Sequence, residues 1–371
     1  MGQNHKQNIS AQSEAAKSRA EQGVVTATAT ATAPLLLDEY IRRVVGSSYS
    51  YSSIFPTQHR SSSSSSSSPA ILERGRTNHV LLYNGCFNPP HRGHLAQLVH
   101  ALRHAGPGMH VVGAVVLVAD DAYLKWKLAA GQRGALLLGL EQRIRLWDEE
   151  LALVEEGARC WVLPEVMWPQ YADGLEGRFE RDGVDVEFVR LAGGDKVSVA
   201  AVEHGVWGCR DIITSDVSRP VDFYSGGVGD VALPMPLRRH GEWKKVVGEM
   251  QGEKDGRDEE VVSSETLTTE STIISSSSTS TSAPQTSTTT AITPQTSRSV
   301  WTCGHGPSGS YHNVRFIASS HDERVDPDLS STKIRGIIAA GKKLDVGQLE
   351  QRLRGIALSP WLLARYIKEG S

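Results

Sequence analysis

One run of residues, Val80 to Leu98 (V-L-L-Y-N-G-C-F-N-P-P-H-R-G-H-L-A-Q-L), limits what this chain can fold into more than any other. It reads as a short apolar strand, a loop of Gly, Asn and Pro, then the start of a helix. A strand that turns through glycine into a helix leaves the first helical N–H groups without partners. The positive end of the helix dipole lies behind them, so the turn favours an anion. His91 and His94 are three residues apart across that turn, which lets both face one bound phosphate. No obvious nucleophile accompanies them, so the pattern suggests transfer by positioning and charge stabilisation.

The same alternation continues downstream. Strands are expected at His79–Asn84, His110–Ala119, Cys160–Leu163, Val186–Ala192, Asp211–Thr214 and Asn313–Ala318. Helices are expected over Gly93–His104 and, from apolar spacing at Leu136, Leu140, Ile144, Trp147 and Leu151, over Gln132–Glu156. Strands alternating with helices imply a parallel sheet in a three-layer α/β sandwich. Ligands in such sheets bind beyond the carboxyl ends of the strands. Gly85-Cys86, Asp120-Asp121 and Gly194-Asp195 all fall at such ends. Ser330-Ser331 should cap a helix over Thr332–Ala340 that Gly341 ends, and Ser359-Pro360 should open a last helix reaching Lys368.

The stretch G-C-F-N-P-P-H-R-G-H-L resembles the G-[ST]-F-x-P-x-H-x-G-H signature of the nucleotidylyltransferases. A second stretch, Ser330-Ser331-Thr332-Lys333-Ile334-Arg335, is similar to the S-S-T-x-I-R signature of the nicotinamide mononucleotide (NMN) adenylyltransferases. The resemblance covers roughly residues 78–230 and 310–371. It implies a Rossmann-like α/β/α fold with a parallel sheet, and transfer of AMP from ATP to NMN or its acid form, with Mg²⁺ carried on the phosphates and no protein metal ligands. ATP would be held by Gly85, Cys86, Phe87, His91, His94, Ser331, Thr332, Lys333, Ile334 and Arg335. His94, His91 and Arg335 would carry the catalysis. Cys86 stands where the family usually has Ser or Thr, a change the site tolerates if the backbone does the binding.

Three further elements resemble the mononucleotide side of such a site. Gly193-Gly194-Asp195 is similar to the family's G-x-D element, in which glycine backbone and aspartate meet the dinucleotide. Trp207 follows at about the family's interval, and Trp161-Val162 and Trp168 resemble the region whose tryptophan stacks on nicotinamide. Asp121-Ala122-Tyr123-Leu124-Lys125-Trp126-Lys127 looks like the D-A-Y-x-K-x element, so Lys125 or Lys127 would neutralise the mononucleotide phosphate. Plain structural roles compete at each position: a capping Asp195, tryptophans packed in the core, basic residues on a surface loop.

Composition explains how a 371-residue chain can carry only one such core. It is 39% hydrophobic and 6% aromatic, and Ser/Thr-rich tracts account for the deficit. The expected division is a disordered N-terminal region over 1–75 with one amphipathic helix at 34–45, a first core part at 76–230, a low-complexity insertion at 231–305, and the rest of the core at 306–371. Eight serines, Ser61–Ser68, form a spacer before the core, and Ser263–Ser299 is almost wholly Ser, Thr, Pro and Gln. A net charge of −3 argues against nucleic acid as a partner, and no apolar run reaches the roughly 18 residues a membrane span needs. The four cysteines form no C-x-x-C pair, which suits a reducing compartment and argues against a cysteine-held zinc. The N-terminus lacks an apolar signal core, and Glu14 and Glu21 weaken a mitochondrial reading, leaving cytosol or nucleus. The oligomeric state stays open. The readings that compete with NMN adenylyl transfer are another adenylyl or cytidylyl transfer to a phosphorylated acceptor, and a nucleotide-binding regulator without turnover.

Overall fold

In the computed structural model the residues described are 33–48, 69–129, 136–203, 206–225, 233–247, 299–304 and 313–369. In chain order the elements are β1 (Leu35–Leu36), α1 (Leu37–Ser48), β2 (Ile71–Leu72), β3 (Asn78–Gly85), α2 (Arg92–His104), β4 (His110–Val118), α3 (Asp121–Ala129) and α4 (Leu140–Leu151). They continue with β5 (Cys160–Pro164), α5 (Trp168–Asp182), β6 (Val186–Leu191), β7 (Ile212–Ser215), β8 (Lys244–Lys245), β9 (Val300–Cys303) and β10 (Val314–Ile317). Three helices close the fold: α6 (Ser331–Ala340), α7 (Val346–Leu353) and α8 (Pro360–Glu369).

The main sheet has eight strands in the order β5-β4-β3-β6-β7-β10-β9-β8. From β5 to β10 every pairing is parallel; β9 joins β10 antiparallel and β8 joins β9 antiparallel. The expected parallel α/β sheet is present, with an antiparallel margin that the sequence reading had assigned to an insertion. The chain leaves β3 toward β4 on one side and returns to β6 on the other. The strand order therefore reverses beside β3, and a crevice opens there at the carboxyl ends of the strands.

Strand pleating sorts the side chains into two cores. Val80, Leu82, Val112, Val115 and Leu117 face one layer with α1 and α5, while Leu81, Tyr83, Ala114, Val116 and Val118 face the other with α2 and α4. A three-layer sandwich follows directly. Near the margin, Phe223, Leu237, Trp243, Trp301 and Phe316 make a third cluster. The closing helices pack Ile334, Ile338, Leu349, Leu353 and Leu363 against Leu138 and Leu146 of the α4 region.

Several boundaries differ from the sequence reading. The helix expected at 34–45 runs Leu37–Ser48 and is part of the core rather than an outlying element. Leu37, Tyr40, Ile41, Val44 and Val45 are buried, Tyr40 Oη donates to Asp182 at 2.6 Å, and β1 pairs with β2. A Cβ on Gly174 of α5 would come within 3.0 Å of Val44, so glycine there lets the two helices approach. The helix expected over Gln132–Glu156 is only Leu140–Leu151, because Leu136 and Leu138 are drawn out of helical geometry by Asn88, described below, and Gly139 caps the start. Residues 233–247 and 299–304, expected within the insertion, supply β8, β9 and core side chains. Residues 1–32, the serine run 61–68 and the tract 248–298 lie outside the described residues. Among the described residues no helix is long and apolar enough to cross a membrane.

Candidate active site

The loop after β3 is held from beneath by one buried cation. Arg143 of α4 has no exposed surface. Its Nε donates to Leu138 O at 3.0 Å, one terminal nitrogen to Cys86 O at 2.8 Å and Ala119 O at 2.7 Å, and the other to Asp121 Oδ1 at 2.5 Å. Burial lowers its pKa from the usual range, and the hydrogen bond to Asp121 opposes that shift. The planar fork thus ties the ends of β3 and β4 to α4 through main-chain carbonyls, which a side chain with one nitrogen could not do. Asn88 adds a second tie: its amide donates to Leu136 O at 2.7 Å and accepts from Leu138 N at 3.0 Å.

The loop itself folds back on its aromatic residue. Phe87 lies at φ 46°, the left-handed region, and is buried. Its ring meets Trp147 (centroids 5.2 Å, 84°) and His94 (4.9 Å, 89°) edge to face. The turn requires Gly85, because a Cβ there would come within 2.9 Å of the Phe87 ring. Phe87 therefore contributes an anchor with its side chain, leaving the backbone for a ligand.

His91 caps α2 and stacks on His94, with centroids 3.6 Å apart and planes at 23°. The His91 main-chain N–H donates to His94 Nδ1 at 3.2 Å. A neutral His94 must then carry its proton on Nε2, which makes that nitrogen a donor toward a ligand. Burial first, then the charge of Arg219, lowers the His91 pKa to about 4. Burial, His91 and Arg219 hold His94 well below its usual value. Both rings are neutral at pH 7, and an arriving polyanion would offset Arg219 and favour their charged forms.

The second motif closes over the same loop. Ser330 caps α6, its Oγ accepting from Lys333 N at 3.2 Å. Ser331 Oγ donates to Pro89 O at 2.8 Å, and Arg335 donates to Asn88 O at 2.7 Å and to Thr332 Oγ1 at 2.9 Å. Stretches about 240 residues apart in sequence are thus joined by direct hydrogen bonds (|i−j| of 242 and 247). Between them and the strand ends lies a cleft of about 630 Å³. Its lining includes Gly85, Cys86, Phe87, His91 and His94 from the first motif and Ser331, Thr332 and Arg335 from the second.

On the far side the cleft meets Lys127, Gly194, Asp195 and Trp207, all expected from the sequence. Five expected residues stand elsewhere. Trp168 has no exposed surface and packs edge to face on Phe188 in the α1–α5 core, because the start of α5 turns its ring inward. Ile334 is fully buried among α6–α8 by the helical spacing that puts it one turn after Ser330. Lys333 points to Asp326, at 2.9 Å. Lys125 is exposed and lies outside the lining, so of the two lysines only Lys127 reaches the cleft. Trp161 also belongs to the core, its Nε1 donating to Asp38 at 3.1 Å.

Sequence reasoning missed several participants. Arg143 and Asn88 build the loop, and Arg219 and Glu165 line the cleft beside Asp120, which the strand-end pattern does mark. Burial raises the Glu165 pKa, against a hydrogen bond from Asn84. Arg190 and Lys196 also line the wall, where both face Glu203, at 2.5 and 3.4 Å. Gln97 of α2 fixes the opposite wall, donating to Ala192 O at 3.2 Å and accepting from Ser218 Oγ at 3.1 Å. A cradle of backbone groups, neutral imidazoles and arginines suits a phosphate chain.

Residues 82–133 match the cytidylyltransferase-like family model, and that stretch holds the whole first motif. That segment of the chain is therefore similar to cytidylyltransferase-like domains. No curated protein matches the sequence. Among solved structures, the nicotinic acid mononucleotide adenylyltransferase of Plasmodium falciparum complexed with APC overlays at 13% identity, covering 37% of this chain and 63% of that one, with a TM-score of 0.24. The overlay spans less than two thirds of that enzyme.

Proposed function

We propose that this chain transfers the AMP moiety of ATP to the phosphate of nicotinamide mononucleotide or its acid form, giving the dinucleotide and pyrophosphate. The observation that carries this reading is the interlock of the two motifs, Ser331 on Pro89 and Arg335 on Asn88, at one cleft. The likeness of Ser330–Arg335 to the NMN adenylyltransferase signature supports the choice of acceptor.

In this reading the triphosphate lies along the turn between β3 and α2, and the acceptor lies toward Gly194, Asp195 and Trp207. An oxygen of the acceptor phosphate attacks the α-phosphorus in line; the bond to the α,β-bridging oxygen breaks and pyrophosphate leaves. The attacking phosphate is already ionised, so neither a general base nor a covalent intermediate is needed. His94 Nε2–H donates to the oxygen on which charge builds, while Thr332 and Arg335 hold the departing phosphates. Lys127 and Trp207 hold the acceptor by charge and by stacking. Mg²⁺ would neutralise phosphate charge, and the oxygen donors of Asp120 and Asp195 in the lining suit its water shell.

The test is a pyrophosphate-release screen of the purified chain with ATP or CTP, Mg²⁺ and a panel of phosphorylated acceptors. The reading expects release with ATP and a pyridine mononucleotide, matched by dinucleotide. Preference for CTP with a phosphorylated alcohol would overturn the acceptor, and a thermal shift with ATP but no product would overturn turnover itself.

A further inference from the structure

Away from the cleft, the last turns of α2 carry His100 and His104. They are four residues apart on one face, with ring centroids 4.9 Å apart. Facing them is Glu323, from the short turn His321–Glu323 that follows β10. His104 Nε2 lies 3.4 Å from Glu323 Oε1 and His100 Nδ1 lies 3.9 Å from Glu323 Oε2. One ligand atom from each of the three residues lies within 4.8 Å of the others.

Both separations lie within ion-pair reach, so one carboxylate faces two imidazoles. For metal bonds of about 2.0–2.1 Å, the edge of a tetrahedron is about 3.3 Å. The His104–Glu323 spacing of 3.4 Å is already near that edge. The carboxylate is also pre-oriented: Glu323 Oε2 accepts from Ser320 N at 3.0 Å and Ser320 Oγ at 3.1 Å, the kind of support that metal-binding carboxylates receive. Adjacent cations do not oppose a metal. Arg324 is paired with Asp216, and Arg103 with Glu156.

We propose that His100, His104 and Glu323 form a binding site for a divalent transition cation of the zinc class, with water completing the shell. Two imidazoles and one carboxylate suit such an ion, whereas Mg²⁺ and Ca²⁺ prefer oxygen donors throughout. The ion joins the end of α2 to the segment Ser319–Arg324. The start of α2 bears His91 and His94, and that segment leads into Ser330–Arg335. The metal is thus a clamp between the two stretches that carry the motifs, and its existence does not depend on the reaction the cleft performs.

The full chain, freed of metal with a chelator and desalted, is titrated with Co²⁺ as a coloured substitute for Zn²⁺, then with Zn²⁺ in competition. One equivalent of Co²⁺ should develop the visible absorption of a low-coordinate site, Zn²⁺ should displace it, and the melting temperature should rise. His104→Ala and Glu323→Gln should each weaken binding by about 100-fold or more. Glu323→Gln keeps size and shape, so it decides the matter should His104→Ala fail to fold by circular dichroism. Absence of saturable uptake, or unchanged affinity in either folded variant, overturns the site.

Discussion

Replacing Arg143 by Met keeps most of the side-chain volume and removes every donor beneath the loop. Three main-chain carbonyls, Cys86 O, Ala119 O and Leu138 O, then lose their charged partner, while the partly exposed Asp121 turns to water. A buried acceptor left unpaired costs about 1–3 kcal/mol. Removing a guanidinium whose burial is itself unfavourable returns part of that sum. The net expectation is a loss of about 3 kcal/mol in urea unfolding at pH 7. Because Cys86 sits in the loop proposed to hold the triphosphate, nucleotide affinity should also fall by at least about tenfold, or 1.4 kcal/mol. Arg143→Lys should be intermediate, since one ammonium cannot span acceptors arranged around a planar fork. A Met variant that loses under about 1 kcal/mol and binds ATP normally would refute the idea that this residue shapes the loop.

Other expectations concern the cleft. His94→Ala should fold normally and lower kcat by about two to three powers of ten in the pyrophosphate assay, as losing one transition-state donor does. Arg335→Met, which loses the contacts to Asn88 O and Thr332 Oγ1, should raise the KM for ATP by about tenfold or more and cost about 1–2 kcal/mol in unfolding. His91 has a folded pKa of about 4 against 6.5 for the free group, so below 6.5 the unfolded chain binds this proton first. Stability should therefore fall as pH drops from about 6.5 to about 4, by on the order of 3 kcal/mol, and His91→Asn should flatten that part of the urea-midpoint profile.

Which parts of this were legible in the sequence follows from what each part depends on. The parallel strands are runs such as His110–Val118, whose apolar residues leave no other reading, and α6 was announced by its own cap and stop, Ser330 and Gly341. The signals for α5 were also present, Pro169 in its first turn and Gly183 in the left-handed cap at φ 63°, but the sequence reading gave its tryptophan to a ligand instead. Helix α3 is absent from the sequence reading, which weighs a ligand-binding element against a surface loop there, because only Leu124 of its nine residues is buried and no periodic face is left to read. The antiparallel margin pairs β8 with β9 across a Ser/Thr-rich tract, so low complexity hid both strands, the exposed β8 and the core-bearing β9.

The site divides in the same way. Gly85, His91, His94 and Ser331, which sit at local turns, were legible through the two motif resemblances, and all four line the cleft. Arg143 and Asn88 act on carbonyls and amides about 50 residues away in sequence (|i−j| of 57 and 48), and nothing local marks an arginine inside an amphipathic helix as the support of a distant loop. Trp168 and Lys125 failed for the complementary reason. Residue type fits a role, but the direction of a side chain is set by the element that carries it.

For the proposed transfer to operate, Gly85–His94 and Ser330–Arg335 must grip the same phosphate chain. Amide hydrogen exchange with increasing ATP and Mg²⁺ measures this most directly, since both segments carry helix-start N–H groups that a bound triphosphate would cover. Both peptides should gain protection with one common half-saturation, and both responses should weaken in Arg335→Met. Protection confined to one segment, or two different half-saturation points, would contradict it.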